Sequence, residues 1–201
     1  MTYSKAFLDQ HRDINLEHEW WDSVYNDFKC VCTILGIALD DDEPSFCGFY
    51  SQGDGASWAG RYTAVHLAPW GTPNKATYDL APALIREYAP EDKTLHAIAD
   101  ELCILARVYY PAYAHVRRHD NRYAHEMTMC VSAIDHNLLG WCEDVEFADE
   151  VTDALEEALL VQFRALAVWL YNTLEQEYEF LTTDEAVADT LEANDIEEDA
   201  A

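Results

Sequence analysis

The residues of this chain with the clearest chemical potential are carboxylates at helical spacing, gathered toward one end. Glu146, Asp149, Glu150, Asp153, Glu156 and Glu157 lead into an apolar stretch, Glu175 and Glu179 leave it, and Glu185, Asp189 and Glu192 follow on a further segment. On a helix, acids three or four residues apart place their Cβ atoms about 5 to 6 Å apart. Each DNA strand carries a phosphate charge about every 3.4 Å of axis. A rigid row of such acids can occupy a cationic groove built for nucleic acid, so these eleven positions are candidate partner-binding residues. Hydrolytic chemistry would need two carboxylates whose surroundings drive their pKa values apart, and spacing alone does not supply that. No catalytic residue is assigned.

The charge balance supports a binding role. The chain has 39 acidic and 12 basic residues, a net charge of −27. Residues 1–122 carry 18 acids and 11 bases, whereas residues 123–201 carry 21 acids and a single base, Arg164, for a net of −20. A one-signed field repels nucleic acid and membrane surfaces and attracts basic partners within about a Debye length, roughly 8 Å in physiological salt. Direct nucleic-acid binding and membrane association are therefore excluded as expectations. A solvated acidic surface, as in salt-adapted proteins with few lysines, is the competing explanation, and this chain has only four Lys. Against it, like charges at helical spacing cost a few tenths of a kcal/mol per pair, and solubility does not require one part of the chain to be nearly free of bases.

Other motifs read as structure. Ser51, Gln52, Gly53, Asp54 and Gly55 form an SQGDG loop between two aromatic-rich strand segments, Ser45 to Tyr50 and Ala56 to Tyr62. Gly53 and Gly55 permit positive φ, and Asp54 can bond nearby amides, which suits a hairpin loop. No Walker spacing follows, so a phosphate cradle is not expected. Asp40 to Glu43 before Pro44 lack the alternation of a calcium loop and read as a solvated turn. The six cysteines form no CxxC pair and read as buried thiols of a reducing, cytoplasmic compartment. His115, His119 and His125 lie around a turn without a metal-binding pattern, and His18, His66 and His136 are isolated. No metal and no cofactor are expected. Arg117, Arg118 and Arg122 make a basic turn that would pair with carboxylates of its own chain or, in a homodimer, of a second copy.

The elements that must position these groups follow from periodicity. Leu155, Leu159, Phe163, Leu166, Leu170, Leu174 and Tyr178 predict one long helix from Ala148 to about Leu181, covered on more than one side in its middle. Leu16, Trp20, Val24, Phe28, Val31 and Leu35 predict a helix from Ile14 to Leu35 capped by Asp13. Asp79 would cap a short helix with Pro82 in its first turn, and Pro90 would open a second, reaching about Tyr110. Tyr113 to Arg118 and Tyr123 to Ile134 alternate as a second hairpin, with Met127, Met129 and Val131 on the core face. Thr182 and Glu185 have capping-box spacing for a final helix over Asp184 to Glu192. The fold expected is α+β: two antiparallel hairpins, in one small sheet, packed on several helices including the long C-terminal one. A single domain would span 1–194, and DIEEDAA, residues 195–201, would be a disordered tail.

Four stretches together, HEWWDSVYNDF (18–28), FCGFYSQGDGASWAG (46–60), YAPEDKTLHAIADEL (88–102) and LTTDEAVADTLEAND (181–195), resemble a group of uncharacterised proteins common in phages, prophages and their bacterial hosts, sometimes labelled antitoxin. The resemblance spans nearly the whole chain and implies a mobile-element origin. Combined with the acidic rows, it leads to an expected function: a phage-derived inhibitor of a bacterial nucleic-acid-targeting defence, anti-CRISPR or anti-restriction, that acts as an acidic DNA mimic in a basic groove. The alternatives are a toxin-neutralising antitoxin-like protein and an enzyme using the SQGDG hairpin.

Overall fold

A run of seven inward-facing positions explains the longest element. In the computed structural model, which describes residues 3–41, 43–64, 78–109, 112–119, 122–133 and 149–198, one helix runs over Asp149–Leu181. Leu155, Leu159, Phe163, Leu166, Leu170 and Leu174 are all buried along it, and Tyr178 is half-buried. Its middle is not covered all round, because Val161 is 58% and Val168 41% exposed.

The fold is α+β. The helices are α1 (Lys5–Gln10), α2 (Asp22–Leu35), α3 (Ala81–Tyr88), α4 (Lys93–Val108), α5 (Asp149–Leu181) and α6 (Asp184–Ala193). The strands are β1 (Ile37–Leu39), β2 (Ser45–Cys47), β3 (Gly55–Ser57), β4 (Gly60–Thr63), β5 (Tyr113–Arg118) and β6 (Met129–Ala133). The chain divides into two compact units, Asp27–Tyr171 and a smaller one made of Met1–Asn26 with Asn172–Ala201.

In the larger unit an antiparallel sheet has the order β1-β4-β5-β6, while β2 and β3 pair separately. Both expected hairpins are present, but not in a single sheet. The segment 56–62 is not one strand: after Ser57 it leaves the β2 pairing and resumes at Gly60 beside β1 and β5. Gly60 allows this approach, since a Cβ there would lie 2.4 Å from the Ala38 carbonyl oxygen. Gly36, at φ +80°, ends α2 and turns the chain into β1, a strand too short to show alternation. In the β5–β6 hairpin Val116 faces Val131, and Met129 and Val131 are buried as expected. Met127 is not on the core face; it sits in a 3-10 turn over Glu126–Thr128 and is 63% exposed.

An aromatic core joins sheet and helices. Phe163 of α5 meets Trp58 at 5.2 Å and Tyr62 at 5.3 Å between ring centroids, and Phe28 lies 6.5 Å from Trp58 and 6.4 Å from Trp169. The Trp58 indole N–H donates to the Phe163 carbonyl at 3.3 Å. Beside it, Arg164 donates to the carbonyls of Glu126 and Met129, each at 3.1 Å, and of Met127 at 3.4 Å, which ties the start of β6 to α5. α3 and α4 form the expected helical hairpin, bridged by a two-pronged Arg86–Asp100 pair at 3.0 and 2.6 Å. α4 begins at Lys93, not Pro90, because Asp92 is its cap and accepts from the Leu95 amide at 2.9 Å. The other oxygen of Asp92 accepts from the Trp169 indole at 2.6 Å. Asp79 does not cap α3; it accepts from Arg107 at 2.8 Å, leaving Leu80 at the N-cap position.

In the smaller unit the expected helix from Ile14 is interrupted. Ile14–Leu16 form a 3-10 turn, Asp13 makes no capping bond, and His18 takes φ +66° before α2 starts at Asp22. The apolar stripe over 14–35 therefore comes from two elements. Leu8, Val187 and Leu191 are the buried centre, with Phe7, Ile14 and Ile196 packed on them. Thr183, not Thr182, caps α6 by accepting from the Ala186 amide at 3.2 Å, while the Thr182 hydroxyl donates back to the Tyr178 carbonyl.

The start of the expected tail closes α6. Asp195 stands at φ +55° and donates to the Glu192 carbonyl, and Ile196 donates to the Leu191 carbonyl at 2.9 Å, the double bond of a Schellman motif that returns Ile196 to the core. Tyr3 then donates to the Ile196 carbonyl at 3.0 Å, so residues 195–198 are not a free tail.

Because Asp92 both caps α4 and holds Trp169, Asp92→Ala is expected to lose more than the roughly 1 kcal/mol of an ordinary N-cap, about 2 to 3 kcal/mol in all. Urea unfolding followed by Trp fluorescence checks this, and a loss no larger than that of a simple cap would show that the indole bond contributes nothing.

Candidate functional site

The smaller unit concentrates the charge. Its 56 residues include 16 acids and two bases, Lys5 and Arg12, for a net of −14. Both bases are already engaged. Lys5 meets Asp184 at 3.0 Å and Asp9 at 3.4 Å; Arg12 meets Asp184 at 2.6 Å and also pairs with Asp9. Arg12 further donates to the Thr182 carbonyl at 2.8 Å, and Asn15 bridges the Leu181 carbonyl and the Thr190 hydroxyl. Ser4 donates to Glu198 through its amide, at 2.8 Å, and through its hydroxyl. The bonds to Arg12 hold the Asp9 carboxyl below the usual carboxylate range, the bond to Lys5 does the same for Asp184, and the bonds to Ser4 do so for Glu198.

These pairs leave a one-signed helix face. Val187 and Leu191 point α6 inward, so Glu185, Asp189 and Glu192 fall on its opposite side, and all three are exposed. On the preceding turns of α5, Glu179 is exposed and Glu175 half-buried. Five of the eleven candidate residues thus belong to the smaller unit.

The others belong to the larger unit. Asp153 and Glu157 are exposed, but Glu156 accepts from the Ala133 amide at 2.8 Å and so terminates β6. Glu146 lies outside the described residues, as do the side chains of Asp149 and Glu150. The larger unit is also better neutralised. Arg118 pairs with Glu43, whose side chain is only 5% exposed, so this acid is not a solvated turn residue; burial raises its pKa against the opposing pull of Arg118. That contact gives Arg118, one of the three arginines of the basic turn, a carboxylate partner in its own chain.

The SQGDG loop behaves as a turn. Asp54 accepts from the Ser51 amide and donates its own amide to the Ser51 carbonyl at 3.2 Å, while Gly53 takes φ +97°. The loop packs near His125, since a Cβ on Gly55 would lie 3.1 Å from its ring. Cys47 donates to the Ala124 carbonyl at 3.3 Å. Cys32 and Cys103 are buried, but Cys30 is exposed and Cys47 and Cys130 are half-buried, so the expectation of uniformly buried thiols does not hold. His66, His136 and Cys142 lie outside the described residues, among which no cluster of His, Cys, Asp and Glu could hold a metal.

A further feature has no signal in the periodicity. A cleft of about 610 Å³ lies beside His18 in the smaller unit, and its walls include Asp13, Glu17, His11 and Asn194, with Ile14 and Ile196 among its apolar residues. Reading 14–35 as one helix conceals it.

Fold and surface define an α+β protein with an acid-faced helical unit, in which no described helix is long and apolar enough to cross a membrane. Residues 20–184 match a family described as Domain of unknown function (DUF8835), and the chain belongs to that family. No curated protein and no solved structure matches it.

The pH dependence of the smaller unit follows from its depressed carboxyls. A group whose folded pKa lies below its unfolded value stabilises fully above the unfolded pKa, and that contribution disappears as pH falls through the folded one. Below about pH 4, the amides of Leu8 and Val187 are therefore expected to lose hydrogen-exchange protection. Unchanged protection at low pH would show that the pairs of Asp9, Asp184 and Glu198 do not hold this unit.

Proposed function

We propose that this protein is a phage-derived inhibitor of a bacterial nucleic-acid-targeting defence, a CRISPR effector or a restriction enzyme, which it blocks by occupying a basic DNA groove as an acidic mimic. The observation that carries the reading is the exposed acid face of α6, in a unit whose only two bases are already paired with Asp9 and Asp184. With 16 acids against two bases the unit keeps a net negative field, and such a field accelerates association with a basic surface.

The face is fixed rather than floppy, which suits mimicry. Thr183 and the Schellman closure cap α6 at both ends, and Val187 and Leu191 seat it on Leu8. A rigid array loses less conformational freedom on binding than a disordered acidic tail would. Within the original candidate row, Glu156 contributes less, because one of its oxygens is already bonded to the Ala133 amide. The turn-internal bonding of Asp54 gives no support to an enzyme built on the SQGDG hairpin. The protein acts in the host cytoplasm in this reading, with a basic nucleic-acid-binding protein as partner.

The test is competition. Pure protein is expected to displace DNA from a Cas effector or a restriction complex in a gel-shift assay, with potency falling as salt rises. Reversing Glu185, Asp189 and Glu192 to Lys should weaken inhibition by about tenfold or more. Inhibition that survives this triple reversal, or failure to displace DNA from any such complex, would discard the mimic; neutralisation of an RNase-like toxin instead would favour the antitoxin reading.

A further inference from the structure

We infer that the cleft of the smaller unit is a receptor for an arginine side chain of the basic partner. The inference rests on the reading of this protein as a ligand for a cationic surface, and it adds a specific anchoring point to what is otherwise a diffuse field.

The cleft combines two chemistries. Ile14 and Ile196 supply apolar surface, held in place because both pack on the buried Leu8, Val187 and Leu191. Asp13 and Glu17 supply carboxylates, both exposed and both without a hydrogen bond or ion pair among the described residues. Long basic side chains have the same two-part character: an alkyl stem that packs on apolar surface and a charged head that needs acceptors. An entirely polar cleft would suit a small ion, and an entirely apolar one would suit an aliphatic or aromatic group.

Arginine fits better than lysine because of the number of acceptors. A guanidinium presents five donors in a planar fork, whereas an ammonium is a compact point charge. His11 donates through Nδ1 to the Phe7 carbonyl at 2.9 Å, and the tautomer with its proton on Nδ1 presents Nε2 as an acceptor. The Asn194 side-chain nitrogen donates to the Thr190 carbonyl at 2.8 Å, which leaves the amide oxygen as another. With the two carboxylates, the walls thus offer acceptors on four residues and carry no Lys or Arg. The nearest bases in sequence, Lys5 and Arg12, are held by Asp9 and Asp184 and do not supply the missing cation.

The probe is an oligo-arginine peptide, with its neutral isostere oligo-citrulline and with oligo-lysine as controls, titrated into the full chain while amide resonances are followed by NMR. Binding is expected to rank arginine above lysine above citrulline, with the largest shifts at His11 and at the Asn194 side chain. The exposed, isosteric double change Asp13→Asn with Glu17→Gln should weaken oligo-arginine binding by about tenfold or more, with the remaining spectrum unchanged. Oligo-arginine that binds equally well to this variant, but is lost when Glu185, Asp189 and Glu192 become Lys, overturns the cleft and leaves the acid-face reading standing. Failure of the native chain to bind oligo-arginine at low salt overturns both. Equal binding of arginine and citrulline peptides overturns the role of charge in the cleft.

Discussion

Two consecutive residues in the middle of α5 organise the larger unit through backbone hydrogen bonds. The carbonyl of Phe163 receives the Trp58 indole while its ring fills the space between Trp58 and Tyr62. The guanidinium of Arg164 reaches three carbonyls of the segment 126–129. One residue therefore anchors the strand region after β3 and the other anchors the entry to β6. Buried indole nitrogens and strand-entry carbonyls must find partners, since an unpaired buried polar group costs about 1 to 3 kcal/mol, and α5 supplies both from adjacent positions.

This arrangement bears on the charge of the protein. Arg164 is the one base among the 21 acids of residues 123–201, and it is directed at backbone carbonyls instead of carboxylates. Carbonyl dipoles satisfy its donors without neutralising an acid among the described residues. The smaller unit follows the same pattern, where Lys5 and Arg12 converge on Asp184 and Asp9 and not on Glu185 or Asp189 of the outer face of α6. Acids that fasten the fold and acids that remain available to a partner are thus different residues, and Glu156, bonded to the Ala133 amide, shows that a member of the same row can fall into the first group.

Helix closure links the fold to the candidate cleft. The Schellman motif after α6 returns Ile196 onto Leu191, and the left-handed turn at His18 separates Ile14–Leu16 from α2. Both are single-residue departures to positive φ at non-glycine positions, a conformation that hydrogen bonding and packing must sustain. Together they place Ile14 and Ile196 in one cleft with Asp13 and Glu17.

The sequence by itself determined the long helix, the α3–α4 pair, the β5–β6 hairpin and the α+β class, because each rests on a repeating interval of apolar residues that local geometry converts directly into a buried face. It also determined the excess of acid over base, which is a property of composition. Tertiary structure alone decided the rest. Whether 14–35 is one helix turned on a positive φ at His18 that no periodicity encodes; whether Asp79 caps a helix depended on Arg107, which is distant in sequence. Strand β1 is too short to display alternation, and its pairing with β4 required Gly60 to approach Ala38. The division of carboxylates into those that hold the fold and those that face outward was likewise beyond the sequence, because it is set by which distant amide or cation each one meets.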